Sequence, residues 1–192
     1  MQKIAIFASG AGSNARRIME VFRDSDAVNV ALLVCNNPEA GVIDIAGGEG
    51  IPVLMLDRTR FLKGDGHLED LRKAGIDWIV LAGFLWKVPP ILVEAYRGRI
   101  VNIHPALLPK YGGKGMYGRH VHEAVIRAGD RESGITIHLV DEQYDHGQTL
   151  FQAKTPVEAG ETPESLTEKI HRLEHLHYPE VIGKLLIGKL PT

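Results

Sequence analysis

Short apolar runs alternating with amphipathic stretches constrain this chain more than any other feature. Lys3–Ala8, Val28–Cys35, Pro52–Leu56, Trp78–Leu81 and Ile100–His104 are rich in Val, Ile, Leu and Ala. Between them, Asn14–Arg23, Gly41–Gly47, His67–Ala74 and Pro89–Tyr96 carry helical patterns. Strands that read as nearly continuous apolar runs are covered on both faces, and successive strand–helix units imply parallel crossovers. The expected fold class is therefore α/β, a mostly parallel, twisted sheet with helices on both faces.

The pattern changes after residue 105. Residues 109–119 are rich in Gly and Lys and read as a loop, and Val121–Ala128 reads as a helix. Gly134–Val140 and Thr149–Pro156 read as an antiparallel pair of strands across the polar turn Asp141–Gln148. A last long helix starts at Thr162-Pro163-Glu164: a cap, a proline at the first helical position and a first-turn acid. Pro179 is expected to kink or interrupt it. No linker divides the chain, so residues 1–192 are expected to form a single domain.

Composition narrows the partners. A net charge of −2 gives no electrostatic case for nucleic acid. The lone Cys35, in an apolar run, excludes an internal disulfide and a cysteine-cluster zinc site and reads as a buried, inert thiol. No apolar run approaches a membrane span, and the first strand starts almost at residue 1 without a leader. A cytoplasmic protein acting on small molecules, as monomer or homodimer, is the expectation.

Four segments carry chemistry. Asn102 and His104 lie two residues apart on a strand, so they share a face, and Pro105 ends the ladder beside them. An amide donor next to an imidazole suits polarising a carbonyl and moving a proton. The loop Ser9-Gly10-Ala11-Gly12-Ser13-Asn14 joins the first strand to the first helix. It formally matches a dinucleotide fingerprint, but the second strand ends in Cys35-Asn36-Asn37 rather than an acid. Gly12, Ser13 and Asn14 suit a single phosphate better, against the plainer reading of a tight turn with Ser13 as cap. Gly83-Phe84-Leu85-Trp86-Lys87-Val88 can line a slot for a flat ring, or simply fill the core. The turn Asp141–Gly147 offers two carboxylates, Asp141 and Asp145, either of which suits a partner for His104. His104, His120, His122, His138 and Asp145 match no zinc spacing, so no metal is expected.

Together, in this order, the segments resemble the folate-dependent phosphoribosylglycinamide formyltransferases. Asn102-Ile103-His104-Pro105-Ala106-Leu107-Leu108-Pro109-Lys110-Tyr111 is the most specific part, supported by Gly12-Ser13-Asn14 and by Glu174-His175 followed by Tyr178-Pro179. The resemblance implies a formyltransferase fold with a Rossmann-like amino half. It also implies transfer of the formyl group of 10-formyltetrahydrofolate, a co-substrate, to the amine of 5-phosphoribosylglycinamide in purine biosynthesis. It assigns Asn102, His104 and Asp145 as the catalytic trio, Gly12, Ser13 and Asn14 to the substrate phosphate, and Glu174 to the glycinamide. For folate it implies Leu85, Trp86, Lys87, Val88, Asn102, Val140 and Asp141. Lys63 is the candidate basic contact in a segment, 57–77, that is short for the family. Either His120 or His122 is expected to line the site. The alternatives are another enzyme using formyl-folate, a hydrolase or a different amine formyltransferase, or a non-catalytic module binding a phosphorylated ligand.

Overall fold

The computed structural model describes residues 1–188 and Leu190. Its strands are β1 (Gln2–Ala8), β2 (Val28–Cys35), β3 (Val53–Met55), β4 (Trp78–Leu81), β5 (Ile100–His104), β6 (Glu132–Leu139) and β7 (Thr149–Pro156). Its helices are α1 (Ser13–Phe22), α2 (Val42–Gly48), α3 (Arg58–Lys63), α4 (Leu68–Lys73), α5 (Pro90–Ala95), α6 (Arg119–Ala128) and α7 (Pro163–Leu186). The strands form one sheet in the order β3-β2-β1-β4-β5-β6-β7. β1 to β5 pair in parallel, whereas β6 and β7 are antiparallel additions beside β5. The α/β expectation holds, including the antiparallel pair.

Side-chain alternation along the central strands divides the interior into two cores. Ile4, Ile6 and Ala8 face α1 and α7, with Val101, Ile103, Ile135, Ile137 and Leu139 on the same side. Ala5, Phe7, Ile79, Leu81 and Ile100 face α3, α4 and α5. The second core ends at β5. The corresponding face of β5 and β6 carries Asn102, His104, Thr136 and His138, and loops cover it. Leu108 N–H donates to Thr136 Oγ1 at 3.0 Å, and Gln152 Nε2 donates to the Leu108 carbonyl at 3.1 Å.

Three details depart from the sequence reading. The helix α3 was not anticipated: it is one short turn-and-a-half with Phe61 as its buried residue, capped by Asp57 Oδ1 accepting from Arg60 N–H at 2.7 Å. A segment so short has no measurable periodicity. Ser13 does not cap α1 through its side chain. Gly12, at φ 79°, occupies the cap position, and Ser13 is the first helical residue. Pro179 does not interrupt α7, which runs unbroken from 163 to 186. One missing N–H is outweighed by the face that α7 buries through Leu166, Ile170, Tyr178, Val181, Ile182 and Leu185. The start of α7 is as expected, with a reciprocal box between Thr162 and Ser165.

Gly134 shows how tightly β7 lies on β6. A Cβ there would sit 2.0 Å from the Ala153 carbonyl oxygen and 2.7 Å from Leu107 Cδ2. Gly134→Ala is therefore expected to destabilise the fold by at least about 2 kcal/mol, read as a lower urea midpoint at unchanged slope.

Candidate active site

Three chain segments converge on one cavity of about 640 Å³. The β1–α1 turn (10–14), the segment after β4 (81–88) and the end of β5 (102–105) form its floor and sides. Parts of 113–118 and 140–145, with His122, His138, His171 and Glu174, complete the wall. Cavities at the carboxyl ends of parallel strands, where strand order switches, are the expected place for ligands in open α/β sheets.

His104 is buried to 3% exposure and held by a hydrogen bond at Nε2. Its Nε2 lies 2.7 Å from the Tyr111 carbonyl oxygen. A carbonyl only accepts, so Nε2 carries the hydrogen and the neutral ring has its lone pair on Nδ1. That nitrogen faces Asp145 Oδ2 at 3.6 Å, close enough for charge attraction but too long for a direct hydrogen bond. Burial pulls the His104 pKa below the ordinary histidine value, outweighing the opposing effects of Asp145 and the Tyr111 carbonyl. The ring is thus neutral at neutral pH, with a basic Nδ1, and not the standing imidazolium that an adjacent acid by itself suggests.

Asp145 sits at φ 53° in the β6–β7 loop. Its Oδ2 accepts from Gly113 N–H at 2.9 Å, and its Oδ1 lies 3.7 Å from His138 Nε2. Burial raises its pKa, but the positive charge that His138 and His104 acquire on protonation, with the Gly113 amide, outweighs burial and keeps it below the usual value. Asp141 is engaged locally: it accepts from Gln143 N–H at 2.7 Å and lies 3.1 Å from His146 Nδ1. Geometry thus separates the two carboxylates that spacing left equivalent.

His138 was weighed from sequence only as a metal ligand, and its place beside Asn102 was missed. Antiparallel pairing sets it directly opposite Asn102. Its Nδ1–H donates to the Leu139 carbonyl at 2.8 Å, which leaves Nε2 to accept from Asn102 Nδ2 at 3.1 Å. The amide of Asn102 is thereby oriented with a second N–H free. The only available signal was the β5/β6 register, which one sequence does not fix.

The other sequence candidates divide clearly. Gly12, Ser13 and Asn14 line the cavity, where α1 begins with free backbone amides. Asn14 Nδ2 donates to Glu174 Oε2 at 2.8 Å, joining the turn to α7. Leu85, Trp86, Lys87, Val88, Val140 and Asp141 all line the same cavity. Leu85 is 56% exposed there, and Phe84, which also lines the cavity, packs edge-on against Phe7 and Phe61. Trp86 is wedged between Phe61 and the Arg58 guanidinium, 5.9 Å from the ring centroid. Lys63 is corrected: it is exposed at the end of α3 and does not line the cavity, because the short helix directs Phe61 inward instead. His122, buried and pushed down to about 4 by burial, lines the cavity; His120 is exposed beside Tyr117. Among the described residues no cluster of three or more His, Cys, Asp or Glu side chains could hold a metal.

A family model for formyl transferases matches residues 2–182, and the chain belongs to that family. A chloroplastic phosphoribosylglycinamide formyltransferase of Arabidopsis thaliana is 47% identical over 191 residues, covering 96% of this chain and 65% of its own length. The phosphoribosylglycinamide formyltransferase of Bacillus subtilis (strain 168) is 37% identical, covering 97% of this chain and 95% of its own. The crystal structure of glycinamide ribonucleotide transformylase 1 from Geobacillus kaustophilus superposes with a TM-score of 0.88 at 40% identity, covering 97% of this chain and 99% of that one. The chain therefore spans just under two thirds of the Arabidopsis relative and nearly all of the two bacterial proteins.

Glu174 gives a test of the geometry that needs no substrate. It is 6% exposed, and burial pushes its carboxyl up to about 7, with the Asn14 bond opposing. A raised folded-state value means that the folded protein binds the extra proton between the unfolded value, near 4.5, and about 7. Its contribution to stability is full below that window and lost as pH rises through it. Glu174→Gln should therefore raise the melting temperature at pH 8 and leave it nearly unchanged at pH 4.5. The difference is on the order of 3 kcal/mol.

Proposed function

We propose that this protein transfers the formyl group of 10-formyltetrahydrofolate to the primary amine of 5-phosphoribosylglycinamide, a step of purine biosynthesis, in the cytoplasm and as one domain over 1–192. One observation carries the reading: a single cavity joins a helix start suited to phosphate, an amide–imidazole–carboxylate cluster and an apolar slot. The family and the bacterial relatives support it. No described helix is long and apolar enough to cross a membrane.

In this reading Gly12, Ser13 and Asn14 hold the phosphate and Glu174 the glycinamide arm. Leu85, Trp86, Val88 and Val140 enclose the flat pterin, with Asn102, Lys87 and Asp141 as polar contacts. The amine nitrogen attacks the formyl carbon, and the carbonyl electrons move onto oxygen. The free N–H of Asn102 donates to that oxyanion. Nδ1 of His104 takes the proton that the attacking nitrogen must lose. The resulting imidazolium lies 3.6 Å from Asp145, whose charge stabilises it. As the bond from carbon to folate N10 breaks, the proton passes to N10, directly or through a water held by Asp145. The products are tetrahydrofolate and the formylated amide, so no proton or electron pair is left over. His104 begins neutral and becomes charged only as charge develops on the substrate, which favours the transition state over the ground state.

His104→Ala and Asp145→Asn are each expected to lower kcat by about 10²–10³ while the far-ultraviolet spectrum and melting temperature hold. The assay follows loss of 10-formyltetrahydrofolate with and without glycinamide ribonucleotide. Release of formate without the amine would instead establish a hydrolase, and full activity in either variant would remove these residues from the mechanism. Ser13→Ala with Asn14→Ala should mainly raise KM for the phosphorylated substrate, by about tenfold, with kcat within a few-fold.

A further inference from the structure

The segment 111–113 touches both members of the acid–base pair. The Tyr111 carbonyl accepts from His104 Nε2–H at 2.7 Å, and Gly113 N–H donates to Asp145 Oδ2 at 2.9 Å. Gly112 between them is closely packed: a Cβ would lie 2.6 Å from Leu108 Cδ2, which would have to turn aside, and 3.3 Å from Asp145 Cβ. Tyr111 itself stands at φ 57°, a left-handed conformation that costs a non-glycine residue about 1 kcal/mol or more. Something outside the segment must hold it there.

That hold is visible on the side away from the cavity. The Tyr111 phenol donates to Asp130 Oδ2 at 2.9 Å, in the turn between α6 and β6. Asp130 is fixed in turn by Lys110 Nζ at 3.0 Å. Asp130 and Lys110 border a separate, smaller pocket with Arg131, Ser133 and Gln152 and do not line the main cavity. The phenol therefore connects a surface turn to the carbonyl on which the imidazole rests.

We propose that Tyr111, anchored through its phenol to Asp130, is a positioning residue that fixes His104 as the Nε2–H tautomer and so makes Nδ1 its working nitrogen. The role does not require either group to touch substrate. It follows from one chemical fact: with its hydrogen committed to a rigid carbonyl, Nε2 cannot serve as the base. If the carbonyl swings away, the ring can carry its hydrogen on Nδ1, facing Asp145, and then has no lone pair where the proton must be received. Orientation of an imidazole by an anchored acceptor is the same physics by which a buried carboxylate fixes a catalytic histidine elsewhere.

The proposal rests on the formyl-transfer reading only for its kinetic arm. The direct arm is the ¹⁵N spectrum of histidine-labelled protein without substrate, with His104 assigned from the His104→Gln variant. In the parent protein His104 is expected to show a protonated Nε2 and an unprotonated Nδ1 through neutral pH. Tyr111→Phe keeps the ring but not the bond, and should give intermediate shifts at both nitrogens. In the formyl-transfer assay its kcat should fall about tenfold with both KM values within twofold. Asp130→Ala should behave like Tyr111→Phe. Asp130→Asn loses the charge but keeps an oxygen for the phenol, and should stay within about twofold of the parent. An unchanged tautomer in Tyr111→Phe overturns the proposal, as does an equal loss in Asp130→Asn and Asp130→Ala. Should Tyr111→Phe fail to fold, the Asp130 pair decides in the same way. A protein inactive on formyl-folate leaves the spectroscopic outcome standing, so failure of the functional reading and failure of this one are told apart.

Discussion

The antiparallel pairing of β6 onto β5 is the constraint from which the site follows. With a side-chain period of two, that register commits Val101, Ile103, Ile135, Ile137 and Leu139 to the core under α7. It commits Asn102, His104, Thr136 and His138 to the opposite face. Each buried aliphatic side chain favours this register by about 1.5–3 kcal/mol, and slipping β6 by one residue would turn Thr136 and His138 into the apolar core in place of Ile135, Ile137 and Leu139. The polar face is left without a helix because the run of parallel crossovers ends at β5. Two loops cover it instead, and a loop-covered polar face is a cavity with chemistry inside it.

A second element joins this face to the other half of the molecule. Tyr178 on α7 is fully buried, and its hydroxyl reaches the carbonyl oxygens of Leu81 at 2.8 Å and Val101 at 3.1 Å. Those residues belong to neighbouring strands, so the phenol pins α7 across the β4–β5 seam, one residue from Asn102. Glu174 lies one turn earlier on the same helix and meets Asn14 from the β1–α1 turn. The pin therefore sets the spacing between the β1–α1 turn and the Asn102/His104 face. Rigid elements define that distance, as a site requiring close alignment needs.

Much of this was legible in the sequence, for identifiable reasons. β1, β2, β4 and β5 are apolar runs, and α7 has a strong start signal, so their existence and order follow from pattern. Asn102 and His104 share a face by strand geometry alone. What pattern could not supply is long-range registration. The choice of Asp145 over Asp141 depends on how the loop 140–148 folds back, and local hydrogen bonds to Gln143 and His146 occupy Asp141. The role of His138 depends on which residue it opposes across β5. Lys63 failed because α3 is too short to read, and the inward residue there is Phe61. Pro179 failed as a helix breaker because tertiary burial of α7 outweighs a local propensity.

The site's electrostatics come from the same placement. Glu174 and Asp145 are both largely buried carboxyls, yet burial moves only one of them upward. Glu174 has one amide donor and no cation beside it, so desolvation wins and its carboxyl rises to about 7. Asp145 has the Gly113 amide and two imidazoles around it, and stays ionised. His104, between that carboxylate and a fixed carbonyl, is held neutral by burial. Two carboxyls and one imidazole are thus driven to different protonation states by neighbours that the fold supplies, the arrangement that lets a site hold an acceptor, a base and a counter-charge at one pH. At 3.6 Å Asp145 makes no direct hydrogen bond to Nδ1, yet it is close enough to attract a protonated ring. Burial thus keeps the imidazole neutral, and Asp145 at 3.6 Å leaves it a partner for the charged state.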